Sequence, residues 1–215
     1  IIYSFQQSPL LAYEGGGDSS FYLQVGRDLT GGLDYCGIPI PVSPLYLLIA
    51  GIPQHFLSPE HTIYFLWTLQ SFLLALTCLL TFRIGTQLAG DERVGLVVAL
   101  ALATSVAMVI EAGIIQTEAV YIAFLVLAIW LYIDGFMDEA NSELRQNLCL
   151  YLAGMVLGLA ALTRPVLMLF PAGIVIHMLM MRRWKPILPF IVAYTFIFFS
   201  WTAFTSLYYD WTVIG

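Results

Sequence analysis

From Thr62 to Tyr208 the chain alternates between long apolar blocks and short polar breaks. A helix needs about 20 mostly apolar residues to cross a bilayer. On that measure the blocks predict about six crossings, near Thr62–Phe82, Val94–Ile110, Ala119–Ile133, Leu148–Leu162, Val166–Met181 and Pro186–Tyr208. The third is short unless Thr117 and Glu118 form its first turn, and a polar connection, Asp134 to Asn147, follows it. Proline disfavours helix at the residue before it, so Thr163-Arg164-Pro165 predicts a helix end at Arg164. The breaks are expected at span ends. Gly154 and Gly158 put two small residues on one helical face, a pattern that suits close helix packing.

Residues 6–61 are patterned differently. Phe21, Val25 and Leu29 have helical spacing within Ser19 to Leu29, and Pro44 to Ile52 (PLYLLIAGI) reads as a second apolar helix opened by proline. Both suit helices lying at a membrane interface. Gly31-Gly32, Asp34, Gly37, Pro39 and Pro41 form a turn-rich link between them. Residues 1–5 read as the end of a preceding membrane helix, and the 215 residues as one membrane module of a longer protein. The expected fold is all-α: a polytopic transmembrane helical bundle with two interface-lying helices in its first extracytoplasmic loop.

Composition supports the membrane reading. The chain is 60% hydrophobic and 10% charged, with a mean hydropathy of +0.87, against roughly 25% charged residues in soluble domains. The net charge of -6 is spread among the connections, and nothing suggests a nucleic-acid partner. Cys36, Cys78 and Cys149 show no metal-type spacing.

Lys and Arg near span ends are retained on the cytoplasmic side. Alternation of the spans puts Arg83, Arg93, Arg145, Arg182, Arg183 and Lys185 on one face, which is therefore expected to be cytoplasmic. Arg27 and Arg164 fall on the opposite face, with Asp18, the Glu111 to Glu118 turn and Asp210. The expected location is a plasma (inner) membrane, crossed several times, with an extracytoplasmic active site.

Ionisable groups at membrane depth are costly and are functional candidates by default. Asp18, after Gly15-Gly16-Gly17, reads either as a helix N-cap or as a catalytic carboxylate. Glu111 and Glu118 would share a face if the stretch between them were helical, though Glu111 taken alone reads more readily as a solvated interface carboxylate. Glu118 opens an apolar run and would point into the bundle or its mouth. Arg164 offers a fork of donors suited to phosphate, or to an ion pair with Glu118 or Asp18. Tyr13, Tyr22, Tyr35 and Tyr46 are ordinary interface anchors. His55, His61 and His177 form no ligand set in sequence, and a lone His within a span, such as His177, suits hydrogen-bonded packing.

Four segments together bring a family into view: GDSSFYLQVGRDL (Gly17 to Leu29), SPLYLLIAGI (Ser43 to Ile52), TEAVYIAFLVLA (Thr117 to Ala128) and GLAALTRP (Gly158 to Pro165). In that order they resemble the amino-terminal membrane half of GT-C glycosyltransferases, in particular the dolichyl-phosphate-mannose protein mannosyltransferase and aminoarabinose transferase group. The resemblance implies an enzyme that moves a sugar from a polyprenyl-phosphate donor to an extracytoplasmic acceptor hydroxyl, with inversion. It implies that Asp18 is the general base, that Arg164 binds the lipid phosphate, and that Glu118, with Glu111 and Tyr22, orients substrate or a metal. Protein mannosyltransferases tend to carry Asp-Glu where this chain has Asp18-Ser19, which counts against a protein acceptor. A divalent metal cofactor stays open, as do the sugar and the acceptor. The implied partners are a polyprenyl-phosphate-linked sugar and membrane lipid. The rival expectations are a transporter or flippase, marked by helices broken at mid-membrane, and a non-catalytic membrane subunit of a larger complex.

Overall fold

The computed structural model describes residues 17–31, 44–137 and 142–209. Among them are nine α-helices and no strand, so the all-α expectation holds. The chain divides into two compact units, 1–123 and 124–215. The readings of residues 1–5, of Tyr13, Tyr35 and Cys36, of the link through Asp34, Gly37, Pro39 and Pro41, and of Asp210 fall outside the described residues.

The first unit opens with α1 (Asp18–Thr30) and α2 (Pro44–Gly51). The two pack backbone against backbone: a Cβ on Gly51 would overlap the carbonyl of Gly26, and one on Gly26 would lie 2.6 Å from Leu47 O. Only glycine permits that approach. Leu23, Tyr46, Leu47 and Ala50 are fully buried between them. A short 3-10 turn, Ile52–His55, follows, and Gln54 Nε2 donates to Leu23 O (2.8 Å) and Ala50 O (2.9 Å), fastening the turn to both helices.

Helix α3 (Pro59–Ala89) is capped by Ser58, whose hydroxyl accepts from the His61 amide, and ends at Gly90 in the left-handed conformation. Its 31 residues span about 46 Å at 1.5 Å each, well beyond the hydrocarbon core of a bilayer. It packs closely on α4 (Glu92–Ala103), where a Cβ on Gly85 would stand 2.9 Å from the Gly95 Cα.

The second expected crossing departs from expectation. It is broken, with α4 and α5 (Val106–Gly113) meeting at an angle of 53° across Thr104 and Ser105. Thr104 Oγ1 bonds back to Leu100 O at 2.8 Å, and Ser105 is extended (φ -65°, ψ 114°). Local hydroxyl bonds of this kind compete with helix continuation. The break therefore lies inside the apolar run and not at its end.

Helix α6 (Glu118–Met137) starts one residue earlier and ends four residues later than the apolar pattern predicts. Glu118 thus belongs to its first turn, and the polar connection shrinks because α7 (Glu143–Thr163) begins at Glu143. In the second unit α7 packs along α9 (Ile187–Tyr209) through the two glycines of the small-residue face. A Cβ on Gly154 would run into the Phe190 carbonyl, and one on Gly158 would meet the Ile197 side chain at 2.9 Å. Between them a 3-10 turn, Pro165–Leu169, leads into α8 (Phe170–Met180).

Three helices, α3, α6 and α7, are long and apolar enough to cross a membrane, and the bent α4–α5 pair makes a fourth if it is one span. Two shorter apolar helical stretches, Pro165–Met180 and Ile187–Trp201, coincide with the last two expected crossings. Large apolar side chains remain exposed along these helices, for instance Phe72 and Leu79 on α3 and Leu96, Val97 and Leu100 on α4. This is the surface a lipid phase would cover.

Candidate active site

Asp18 sits at the first position of α1, one residue inside the N-cap. The cap is Gly17, at φ 84°, a conformation glycine adopts without strain, and it makes no side-chain cap bond. The N-cap reading of Asp18 is thereby corrected: its carboxylate is exposed at the positive end of the helix and is not spent on closing it. Ser20 does not cap the helix either, since its hydroxyl donates back to Gly17 O at 2.9 Å.

The turn between α5 and α6, residues 114–117, is not helical. Glu111 and Glu118 therefore do not share one helical face. Glu111 lies in the last turn of α5 with its Oε2 atom buried, whereas Glu118 opens α6 half-buried and accepts from Thr117 Oγ1 at 3.2 Å.

Three successive carbonyls of this turn are held by side chains from elsewhere in the first unit. Ser19 Oγ, beside Asp18, donates to Ile115 O at 3.1 Å. Gln70 Nε2, from the buried face of α3, donates to Ile114 O (2.8 Å) and Gln116 O (3.2 Å). Ile115 is itself buried. The start of α1, with Asp18, is thus pinned to the turn that leads from Glu111 to Glu118.

Tyr22 stands one helical turn after Asp18 and packs edge-on against Tyr46 of α2, with ring centroids 5.0 Å apart. The Tyr46 hydroxyl is fully buried and has no hydrogen-bond partner among the described residues. Burial, then the neighbouring Tyr22 and Glu118, push its phenol well above the usual tyrosine value. It therefore stays a neutral donor near Glu118. Sequence reasoning passed over Tyr46 as an interface anchor and missed Gln70 altogether. The signal for Gln70 was present, since a glutamine in the middle of an apolar run is expensive unless it is used.

Arg164 lies in the second unit. It caps α7 in an extended conformation (φ -147°, ψ 110°), as the following proline demands, and is half-buried. Its amide donates to Ala160 O at 2.9 Å and its carbonyl accepts from Leu167 N at 3.1 Å. The backbone is therefore fixed on both sides of the guanidinium-bearing residue. Also in this unit, His177 meets the Tyr132 hydroxyl at 2.5 Å, the hydrogen-bonded packing expected of a lone histidine in an apolar helix. No three His, Cys, Asp or Glu side chains form a metal-binding group among the described residues.

The family model for dolichyl-phosphate-mannose-protein mannosyltransferase matches residues 46–214, most of the chain. The chain belongs to this family. It is accordingly a multi-pass membrane glycosyltransferase of the GT-C type. No curated protein and no solved structure gives a match. Within the mannosyltransferase match lie Tyr46, Gln70, Glu111, Glu118 and Arg164; Asp18, Ser19 and Tyr22 precede it. The broken α4–α5 span, a feature looked for in a transporter, accordingly belongs to a glycosyltransferase fold.

Proposed function

We propose that this glycosyltransferase moves a sugar from a polyprenyl-phosphate donor to an acceptor hydroxyl on the extracytoplasmic side of a plasma (inner) membrane, with inversion at the sugar carbon. The acceptor oxygen attacks the anomeric carbon while the bond from that carbon to the phosphate oxygen breaks. The electron pair leaves with the polyprenyl phosphate, and the acceptor proton passes to the Asp18 carboxylate. A phosphate leaving group is already a good anion, so departure needs no general acid. It needs positive charge to stabilise it, which is the role of Arg164. A single displacement through an oxocarbenium-like state inverts the centre, as in inverting glycosidases. Glu118 and Glu111, with Tyr22 one helical turn after Asp18, orient the substrate or a metal.

The observation that carries this reading is the fastening of the Ile114–Gln116 turn by Ser19 and Gln70. It ties the start of α1, which carries Asp18, to the turn that leads into Glu118, and so supports a shared role for two carboxylates at helix N-termini. Family membership supports a lipid-linked donor, and the basic residues collected by alternation on the opposite face support the orientation. The role of Arg164 in the same reaction is part of the proposal, and it rests on the family resemblance. Ser19 holds the position at which protein mannosyltransferases tend to carry Glu, so the acceptor is left unassigned.

The test is sugar release from a polyprenyl-phosphate sugar by full-length protein, comparing Asp18→Asn and Arg164→Gln with wild type. Loss of a general base lowers turnover by about 10²–10⁴-fold. Turnover of Asp18→Asn within a few-fold of wild type would remove Asp18 from the mechanism.

A further inference from the structure

The second unit contains a cavity of about 450 Å³ at the opposite helix ends from Arg164, where α6 and α8 finish and α7 and α9 begin. That volume lies in the range of roughly 300–1,000 Å³ typical of small-molecule sites. Arg182, Arg183 and Lys185 line it, with Glu143 the one carboxylate among its described lining residues. Lys185 approaches Glu143 at 3.7 Å, with both side chains largely exposed. The cavity is therefore net positive after this weak pair is discounted.

Arg183 is held in place: its Nη1 donates to Phe136 O at 2.7 Å, and its guanidinium lies 4.8 Å from the centre of the Phe136 ring. Gln146 and Asn147, one turn into α7, add amide donors to the wall, and Trp184 is exposed beside them.

An independent observation concerns Arg182. It has a positive φ of 56°, and no other non-glycine residue among those described does. The cause is the way α8 ends. Arg183 N donates to Met178 O (3.0 Å) and Arg182 N to Leu179 O (2.9 Å), the paired bonds of a Schellman cap. In that motif the left-handed position is usually glycine, because a Cβ there is strained. A long cation occupies the position least suited to it for folding, and it opens on the cavity. Backbone strain of this kind marks a residue kept for what its side chain does.

We propose that this cavity binds the headgroup phosphate of an anionic phospholipid, with Arg182 and Lys185 as the discriminating cations and Arg183 as the fixed one. Its position at the ends of four apolar helices, beside an exposed tryptophan, puts it at the depth of lipid headgroups. On the orientation proposed above it faces the cytoplasmic leaflet, where anionic lipids meet basic pockets between helices. The site is separate from the sugar-transfer chemistry.

The experiment uses full-length protein in neutral detergent, with three probes at equal concentration: dihexanoyl phosphatidylglycerol, dihexanoyl phosphatidylcholine and inorganic phosphate. Thermal midpoint and binding affinity are read for wild type, Arg182→Gly and Lys185→Gln. Phosphatidylglycerol is expected to raise the midpoint, and the other two probes are not. Each substitution should weaken phosphatidylglycerol binding about fivefold, the contribution of one basic residue near a lipid surface. Without lipid, Arg182→Gly should melt at or above the wild-type midpoint, since glycine accepts the left-handed position. An equal response to phosphatidylcholine or to inorganic phosphate would overturn the proposal, as would unchanged phosphatidylglycerol binding by both variants. A lower lipid-free midpoint for Arg182→Gly would also overturn it, because the side chain would then be serving the fold.

Discussion

Replacing Gln70 by Leu tests whether the turn that joins α5 to α6 is held from α3. Leucine keeps much of the side-chain volume, so no large cavity complicates the result. The substitution removes two donated bonds, to Ile114 O and Gln116 O. A net hydrogen bond contributes about 1 kcal/mol in water-soluble proteins, and about 0.6 kcal/mol on average between membrane helices. The loss is thus about 1–2 kcal/mol, with more where a carbonyl left behind is buried. Part is returned, because Gln70 Oε1 is itself buried with no partner among the described residues, and its removal relieves a cost of about 1 kcal/mol. Once the cost of the two carbonyls left without their donor is added, the expected net destabilisation of the turn is about 1 kcal/mol, or about fivefold in its opening equilibrium. Amide hydrogen exchange over residues 114–118 of the full-length protein reads this directly, with sugar-transfer turnover as the second readout. Protection there should fall about fivefold, while α7 and α9 keep theirs. Unchanged protection in a folded Gln70→Leu protein would refute the idea that α3 holds the turn.

Other outcomes follow from the same contacts. Gly51→Val should lower the thermal midpoint by several degrees, because the new side chain meets the Gly26 backbone, which cannot yield as a side-chain tip would; overpacking of this kind costs about 1–3 kcal/mol. Gly154→Val should do the same through the Phe190 carbonyl, whereas Gly173→Ala, whose Cβ would meet nothing within 4 Å, should leave the midpoint unchanged or higher. Tyr46→Phe should not reduce stability at neutral pH, since it deletes a buried hydroxyl with no partner among the described residues. Because burial raises the folded-state pKa of Tyr46, the folded protein keeps a proton that the unfolded chain loses from about pH 10 upward. This titration leaves stability unchanged below that pH and lowers it as pH rises toward the folded value. Alkaline unfolding curves should therefore be shallower for Tyr46→Phe than for wild type.

The helices were legible in the sequence wherever apolar period and proline agreed. Pro44 opened α2, Pro165 ended α7 at Arg164, and Gly154 and Gly158 marked the face that meets α9. The break at Thr104-Ser105 was not legible, because hydropathy is blind to a hydroxyl that bonds its own backbone and stops a helix. Residue type alone leaves the cap open as one of two readings of Asp18, because Asp is a favoured N-cap; the cap falls instead on Gly17, which takes the positive φ there. Candidate carboxylates could be found from charge at membrane depth. Their support could not, since Gln70 reaches across 44 and 46 residues to hold the turn and sequence spacing carries no trace of that contact.

The backbone contact between Gly26 and Gly51 makes α1 and α2 one plate. With no side chains in between to absorb a shift, a displacement of α2 is handed to α1, and the end of α1 is where Asp18 stands. On the mechanism proposed above, damage at Gly51 would therefore register in an activity assay as a defective base, although the carboxylate itself was untouched. A lesion of that kind has a distinguishing mark: it can be cured from a distance by restoring the fit of the plate, whereas a lost carboxylate cannot.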